Sequence, residues 1–434
     1  MTDTNHRASE TPSRRRFLKT SGAACMAGLL AKGASATSQP AAAAETGPSS
    51  AAGKTEPRQV FTSDREDGRF VSTTGFMHAV LKHMRPKLAF DPTMRPEDFP
   101  AWREAVREKT RELMCFPELT EPPPPPKKLW TKPRDGYRLE KWEAYPEPYS
   151  VVPYLVLIPD GASARSPAPA AVCFPGSSSS KESLAGELEL DGKPSTHRHA
   201  ARNRMAWEYT RRGIVTVAVD NPGTCETADP IRRGRHELCV HGIWAGRPYE
   251  GISVFHKMHV LEWLKQQPYV DAGRVAASGH SLGAKPALIL GVLDPTVKAV
   301  VWNDFVSNWR ERAVVMNLDR IAIHQYVPGM LPWFDYCDLE ASLAPRPFLI
   351  TEGGRTQDID RIRAAYRLVG AADRIEVAYY PKYATPERRP FDDVPMPEGL
   401  SPDEYFRYAN VDVPMHCFKG NVAVPWLAKV LGVG

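Results

Sequence analysis

At 434 residues, with 42% hydrophobic and 25% charged side chains, the chain has a globular composition and can bury a sizeable core, which excludes a disordered polymer or a helical membrane bundle. Its formal charge of +5 is carried in part by Arg14, Arg15, Arg16 and Lys19, leaving the rest nearer neutral, and no basic run is interleaved with aromatics, so nucleic acid is not an expected partner. The seven cysteines are irregularly spaced and none forms a Cys-x-x-Cys pair, which argues against a zinc ribbon or a thioredoxin-like redox site.

In chain order, Ser13-Arg14-Arg15-Arg16-Phe17-Leu18-Lys19 reads as a twin-arginine export motif, with a weakly apolar run behind it and Ala34-Ser35-Ala36 as a cleavage site. Residues 1–36 are therefore expected to be a signal peptide, with the twin-arginine export machinery as a partner and a periplasmic or secreted destination. Cys25 lies in this segment; Cys115, Cys173, Cys225, Cys239, Cys337 and Cys417 remain, in a compartment where disulfides are permitted. Residues 37–58, rich in Ala, Ser and Pro, read as a disordered linker. No later stretch approaches the roughly 20 apolar residues of a bilayer span, so stable membrane insertion is not expected.

From 74 to 116 the pattern is helical, and Asp98-Phe99-Pro100-Ala101-Trp102 opens an amphipathic run through Val106 and Leu113 to Cys115. Five consecutive prolines, Pro122 to Pro126, end it and form an extended spacer. Residues 59–130 thus make a helical extension with a Pro-rich spacer, ahead of a main domain over 131–434. There, 137–142 and 151–158 read as antiparallel strands. Strands at 170–174, 214–219, 274–278, 297–302, 348–351 and 375–380 then alternate with helices at 198–211, 251–266, 284–293 and 361–369. That alternation predicts an α/β fold, a mostly parallel sheet flanked by helices.

Gly279-His280-Ser281-Leu282-Gly283 is a Gly-x-Ser-x-Gly pattern between an apolar strand and a helical Ala/Leu/Ile run. The bare pattern arises by accident about 0.15 times in a chain of this length, so its strand-turn-helix setting carries the argument. So sharp a turn leaves no room for side chains at the two glycines, and it presents Ser281 at a strained tip as the candidate nucleophile. A serine hydroxyl needs a histidine to take its proton and a carboxylate to orient that histidine. Of twelve histidines only His324 and His416 follow Ser281, and His416, ahead of the closing helical segment at 422–431, is the preferred base. For the acid, Asp358 ranks first, in the loop after the strand at 348–351; Glu352, which ends that strand, ranks second, and Asp304 third. The backbone N–H groups of Leu282 and of Ser177 or Ser178, beyond Gly176, are the expected oxyanion donors. His256 and His259 sit at helical i, i+3 spacing, but no third ligand accompanies them, and no metal or cofactor is expected.

With these residues in place the chain resembles the α/β-hydrolase superfamily, in particular its branch of acetylxylan esterases and dienelactone hydrolase-like proteins. The likeness covers roughly 137 to the C-terminus and rests on Val219-Asp220-Asn221-Pro222-Gly223, the serine motif, and Leu343-Ala344-Pro345-Arg346-Pro347. It implies a cofactor-free esterase, often for acylated sugars or plant polysaccharides. The chain departs from that branch twice. An aspartate commonly stands about three residues beyond the glycine ending the penultimate strand, where this sequence has Thr356, and about 35 residues separate Tyr380 from His416. The interval 381–414 is read as an inserted flap, with Tyr405, Phe406 and Tyr408 suited either to covering a substrate or to packing. The expected reaction is ester hydrolysis through an acyl-enzyme. A serine peptidase or amidase is the alternative on the same triad, and a non-catalytic binding protein is the alternative if no carboxylate reaches His416.

Overall fold

The computed structural model describes residues 60–177, 179–187, 202–229, 234–317 and 321–433, all within the unit Lys54–Gly434. The signal segment and the linker lie outside the described residues. Nine strands, β1 (Lys127–Arg134), β2 (Tyr137–Ala144), β3 (Val152–Pro159), β4 (Ala168–Phe174), β5 (Val215–Val219), β6 (Val270–His280), β7 (Ala299–Asn303), β8 (Phe348–Ile350) and β9 (Ile375–Val377), form one sheet ordered β1-β2-β3-β5-β4-β6-β7-β8-β9. The β1-β2, β2-β3 and β3-β5 pairings are antiparallel, and every pairing from β5 onward is parallel.

Side chains alternate across this sheet, and each set has its own core. Val156, Val172, Val217, Ala277, Val300 and Phe348 face one cluster; Leu155, Cys173, Ala218, Ala276, Val301 and Leu349 face the other. The first cluster is covered by α2 (Phe99–Met114), α6 (Tyr249–Lys265), α7 (Ala284–Leu293), α9 (Tyr336–Ala341) and α10 (Thr356–Leu368). The second is covered by α3 (Lys181–Ala185), α4 (Met205–Thr210) and α12 (Gly420–Leu431). The remaining helices are α1 (Thr73–His83), α5 (Arg235–Trp244), α8 (Trp309–Val315) and α11 (Pro402–Tyr408).

The N-terminal extension is part of the main core. Phe99, Trp102, Val106, Thr110 and Met114 form the buried stripe of α2, spaced as a helical face requires. Its end lies so close to α6 that a Cβ on Gly251 would sit 2.0 Å from the Met114 carbonyl oxygen. The boundary expected between 130 and 131 falls inside β1, because the strand starts immediately after the last proline. β1 is an exposed edge rich in Lys and carrying Pro133, a composition that protects an edge but lacks the apolar alternation used to recognise strands. Of the helix expected over 198–211, residues 205–210 are helical and 198–201 lie outside the described residues.

The stretch 381–414 has a small core of its own. Tyr383, Leu400, Tyr405, Ala409 and Val411 gather with Tyr380 around Val315 and Met316 at the end of α8. Tyr405 is 2% exposed and its hydroxyl lies 2.6 Å from Ser307 Oγ, while Tyr408 stacks on Phe391 at 4.4 Å. The aromatic cluster therefore packs the flap. The six described cysteines are all free.

Candidate active site

β6 runs directly into the turn Ser281–Gly283 and then α7, as the serine motif requires. Ser281 adopts φ 52°, a region that non-glycine residues rarely occupy and that costs of order 1–3 kcal/mol. The flanking glycines are sterically obligatory: a Cβ on Gly279 would lie 1.9 Å from the Gly283 carbonyl oxygen, and one on Gly283 would lie 2.4 Å from that of Phe174. The loop after β4 passes over this turn, since a Cβ on Gly176 would lie 2.7 Å from His280 Nδ1 and 3.4 Å from Ser281 Cβ. Leu282 follows the serine directly and Ser177 follows Gly176; Ser178 lies outside the described residues.

His416 follows the flap, and its ring lies 4.8 Å, centroid to centroid, from that of His280, the residue before Ser281. Its Nδ1 donates to Glu352 Oε2 at 2.5 Å, which leaves Nε2 at the other side of the ring to act on a proton. Glu352 is fully buried at the end of β8, and it accepts two further hydrogen bonds, from the Tyr380 hydroxyl at 2.5 Å and from Lys419 Nζ at 2.6 Å. Burial alone would push this carboxyl up, but the His416 charge and hydrogen bond, then Lys419, hold it at about 2. Removal from water likewise opposes charge on His416, yet Glu352 raises the imidazole to about 9.

Asp358, the acid ranked first from sequence, is not at this site. The chain turns at Gly353 and Gly354, with φ 64° and 142°, and α10 begins at Thr356, so Asp358 enters the first helical turn among Glu311, Arg355, Asp335 and Arg361. Burial, then the charge of Glu311, pushes it to about 7. Asp304, at the end of β7, lies close enough to feel the His416 charge, and burial raises it to about 6. It accepts from the Phe305 N–H at 2.9 Å, and among the described residues no hydrogen bond joins it to His416. The Thr356 hydroxyl donates to Asp392 at 2.5 Å and takes no part.

His324, the other downstream histidine, packs against Tyr249 at 5.6 Å, and burial lowers it to about 3. His256 is bound to Glu147 at 2.7 Å, which accounts for it without a metal. Candidate ligand atoms of His280, Glu352 and His416 lie within 4.8 Å of one another, but Glu352 already accepts three donors, an arrangement that serves an imidazole rather than an ion. Tyr380 and Lys419 were not legible in the sequence: one is an ordinary strand-end aromatic and the other an ordinary lysine until the fold brings both to Glu352.

A model of the Abhydrolase family matches residues 53–429. A solved chain from Bacteroides fragilis, assigned as an acetyl xylan esterase, is 38% identical and superposes with a TM-score of 0.80, covering 86% of this chain and 98% of its own. YtaP of Bacillus subtilis (strain 168), assigned as a hydrolase, is 26% identical over 179 residues, 38% of this chain. The chain spans 58% of the length of that curated relative.

Proposed function

The chain belongs to the Abhydrolase family, and from that premise we propose that it is an exported serine esterase acting on acylated carbohydrates through an acyl-enzyme. Ser281 Oγ attacks the ester carbonyl carbon while His416 Nε2 takes its proton. Glu352 fixes the imidazole tautomer and stabilises the imidazolium that forms. The tetrahedral oxyanion is received by the N–H groups of Leu282 and Ser177. Collapse expels the alcohol, which His416 protonates, and a water activated by the same imidazole then releases the acid.

The observation that carries this reading is the buried Glu352 carboxylate at 2.5 Å from His416, whose ring packs on that of His280, the residue before the strained Ser281. A sugar-ester substrate is supported by the Bacteroides fragilis chain at 38% identity, and export by the Arg-Arg-x-Phe-Leu-Lys motif. The test is turnover of p-nitrophenyl acetate and release of acetate from acetylated xylan by wild type and Ser281→Ala. The variant should lose at least about 1000-fold in kcat. Undiminished turnover would sink the assignment, and turnover of aminoacyl amides in preference to esters would move the enzyme to the peptidases.

A further inference from the structure

The oxyanion loop rests on β5 through a buried amide that the reaction scheme does not use. Asn221, 1% exposed just beyond β5, donates from Nδ2 to the Pro175 carbonyl oxygen at 2.7 Å. Its Oδ1 accepts from Lys257 Nζ at 2.9 Å, and that nitrogen, equally buried on α6, also donates to Ser253 Oγ at 2.6 Å. A carbonyl acceptor on one side and the donating lysine nitrogen on the other set the orientation of the amide. Thr224 Oγ1 donates to the Asn221 carbonyl at 2.6 Å, so the backbone behind the amide is fixed as well. At the far end of the same loop, Asp220 accepts from Lys181 N at 2.7 Å and from Lys181 Nζ at 2.9 Å.

We infer that Asn221 is a positioning residue for the oxyanion hole; this inference rests on the esterase reading above. The loop needs glycine at 176 because its backbone crosses His280, where a Cβ would lie 2.7 Å away. Glycine also gives the Pro175–Gly176 peptide the freedom to rotate. In a planar trans peptide the C=O and the following N–H point in opposite directions, so holding the Pro175 oxygen fixes the plane from which Gly176 and Ser177 continue. Pro175 O is wedged against the elbow too, 2.6 Å from where a Cβ on Gly283 would stand. The hydrogen bond from Asn221 restrains rotation of the Pro175–Gly176 peptide, and so the point from which Ser177 is reached, while Lys257 holds the amide that makes it. Preorganised donors give the greatest stabilisation to a developing oxyanion, so the cost of losing this support falls on the transition state.

The test is Asn221→Asp, which keeps size and the acceptor for Lys257 but replaces the donor with a carboxylate oxygen, alongside Lys257→Met, which leaves the amide but frees it. With p-nitrophenyl acetate, kcat should fall about 10–100-fold in Asn221→Asp and less in Lys257→Met, with KM within about twofold. The inhibition constant of phenylboronic acid, which places an anionic oxygen in the hole, should rise by the same factor as kcat falls, a correlation that simple destabilisation does not produce. If Asn221→Asp does not fold, the same parallel change in Lys257→Met decides. Unchanged kcat and boronate affinity in a folded variant, or a rise in KM alone, would overturn the inference. Failure of the esterase reading looks different, because wild type itself would then neither turn over the ester nor be labelled at Ser281 by a fluorophosphonate.

Discussion

Glu352 and Asp358 stand six residues apart, on either side of two glycines, and their surroundings drive their ionisation in opposite directions. Three donors converge on Glu352 and keep it charged, whereas Asp358 faces Glu311 and Asp335 and is pushed up to about 7. Glu352→Gln should therefore lower kcat by about 10⁴-fold, as expected when an imidazole loses the carboxylate that selects its tautomer. Without that anion His416 also falls from about 9 toward its ordinary value, so the acid limb of the residual kcat/KM profile should move to lower pH. Asp358→Asn should stay within a few-fold of wild type. Equal losses in the two variants would contradict the placement of the acid at the strand end. In the sequence Ser281 stands out because the elbow has a local steric signature, and His416 because few histidines follow it. The sequence could not rank the acids, because the choice depends on where a Gly-Gly turn at positive φ ends a strand and begins a helix.

The elements that could be read from sequence were those with a period and a length. The strand leading into Ser281, expected over 274–278, runs from Val270 to His280, and α7, expected over 284–293, is found there, since an apolar strand, a tight turn and a run of strong helix formers agree locally. Helices α5, α8, α9 and α11 were missed. They span 6–10 residues, too short for a periodic stripe to stand out, although α11 does carry a readable capping box, Ser401 with Glu404. The flap holding α11 is tied down by Arg355, which is 2% exposed and reaches the carbonyl oxygens of Phe391, Asp392 and Val394 at 3.3, 3.2 and 2.7 Å, and Glu311 at 3.4 Å. Arg355→Met should cost about 3 kcal/mol by stranding these acceptors, and should expose 386–398 to limited proteolysis before the rest of the chain. Because His416 follows the flap directly, activity should fall with the same time course as nicking. A variant that resists protease as wild type does would show that the flap is held by its apolar core alone.

At the scale of the whole molecule, the parallel sheet delivers the groups of the proposed site to its carboxyl end: the loop after β4, Asn221 after β5, Ser281 after β6 and Glu352 after β8, with Asp304 alongside after β7. Carboxyl ends of strands are where open α/β sheets present ligands, and here they hold buried charged groups. Not all of that burial serves the carboxyl end. Glu340 on α9 is 1% exposed, and among the described residues neither of its carboxyl oxygens has a hydrogen-bond partner. Burial, then Asp358, Asp335, Asp304 and Asp338, raises it well above the usual carboxylate range. A carboxyl raised in the folded state favours folding fully below its unfolded value, near 4.5, and loses that contribution as pH climbs toward the folded value. The protein should accordingly be less stable at pH 8 than this acid's burial would suggest at pH 5. Glu340→Gln, which cannot ionise, should raise Tm by about 2–4 °C at pH 8 and leave it nearly unchanged at pH 5, measured by calorimetry at matched ionic strength. The difference between the two pH values isolates the titration from packing. A loss of Tm of equal size at both would mean that the carboxyl is held by contacts and that its protonation contributes nothing.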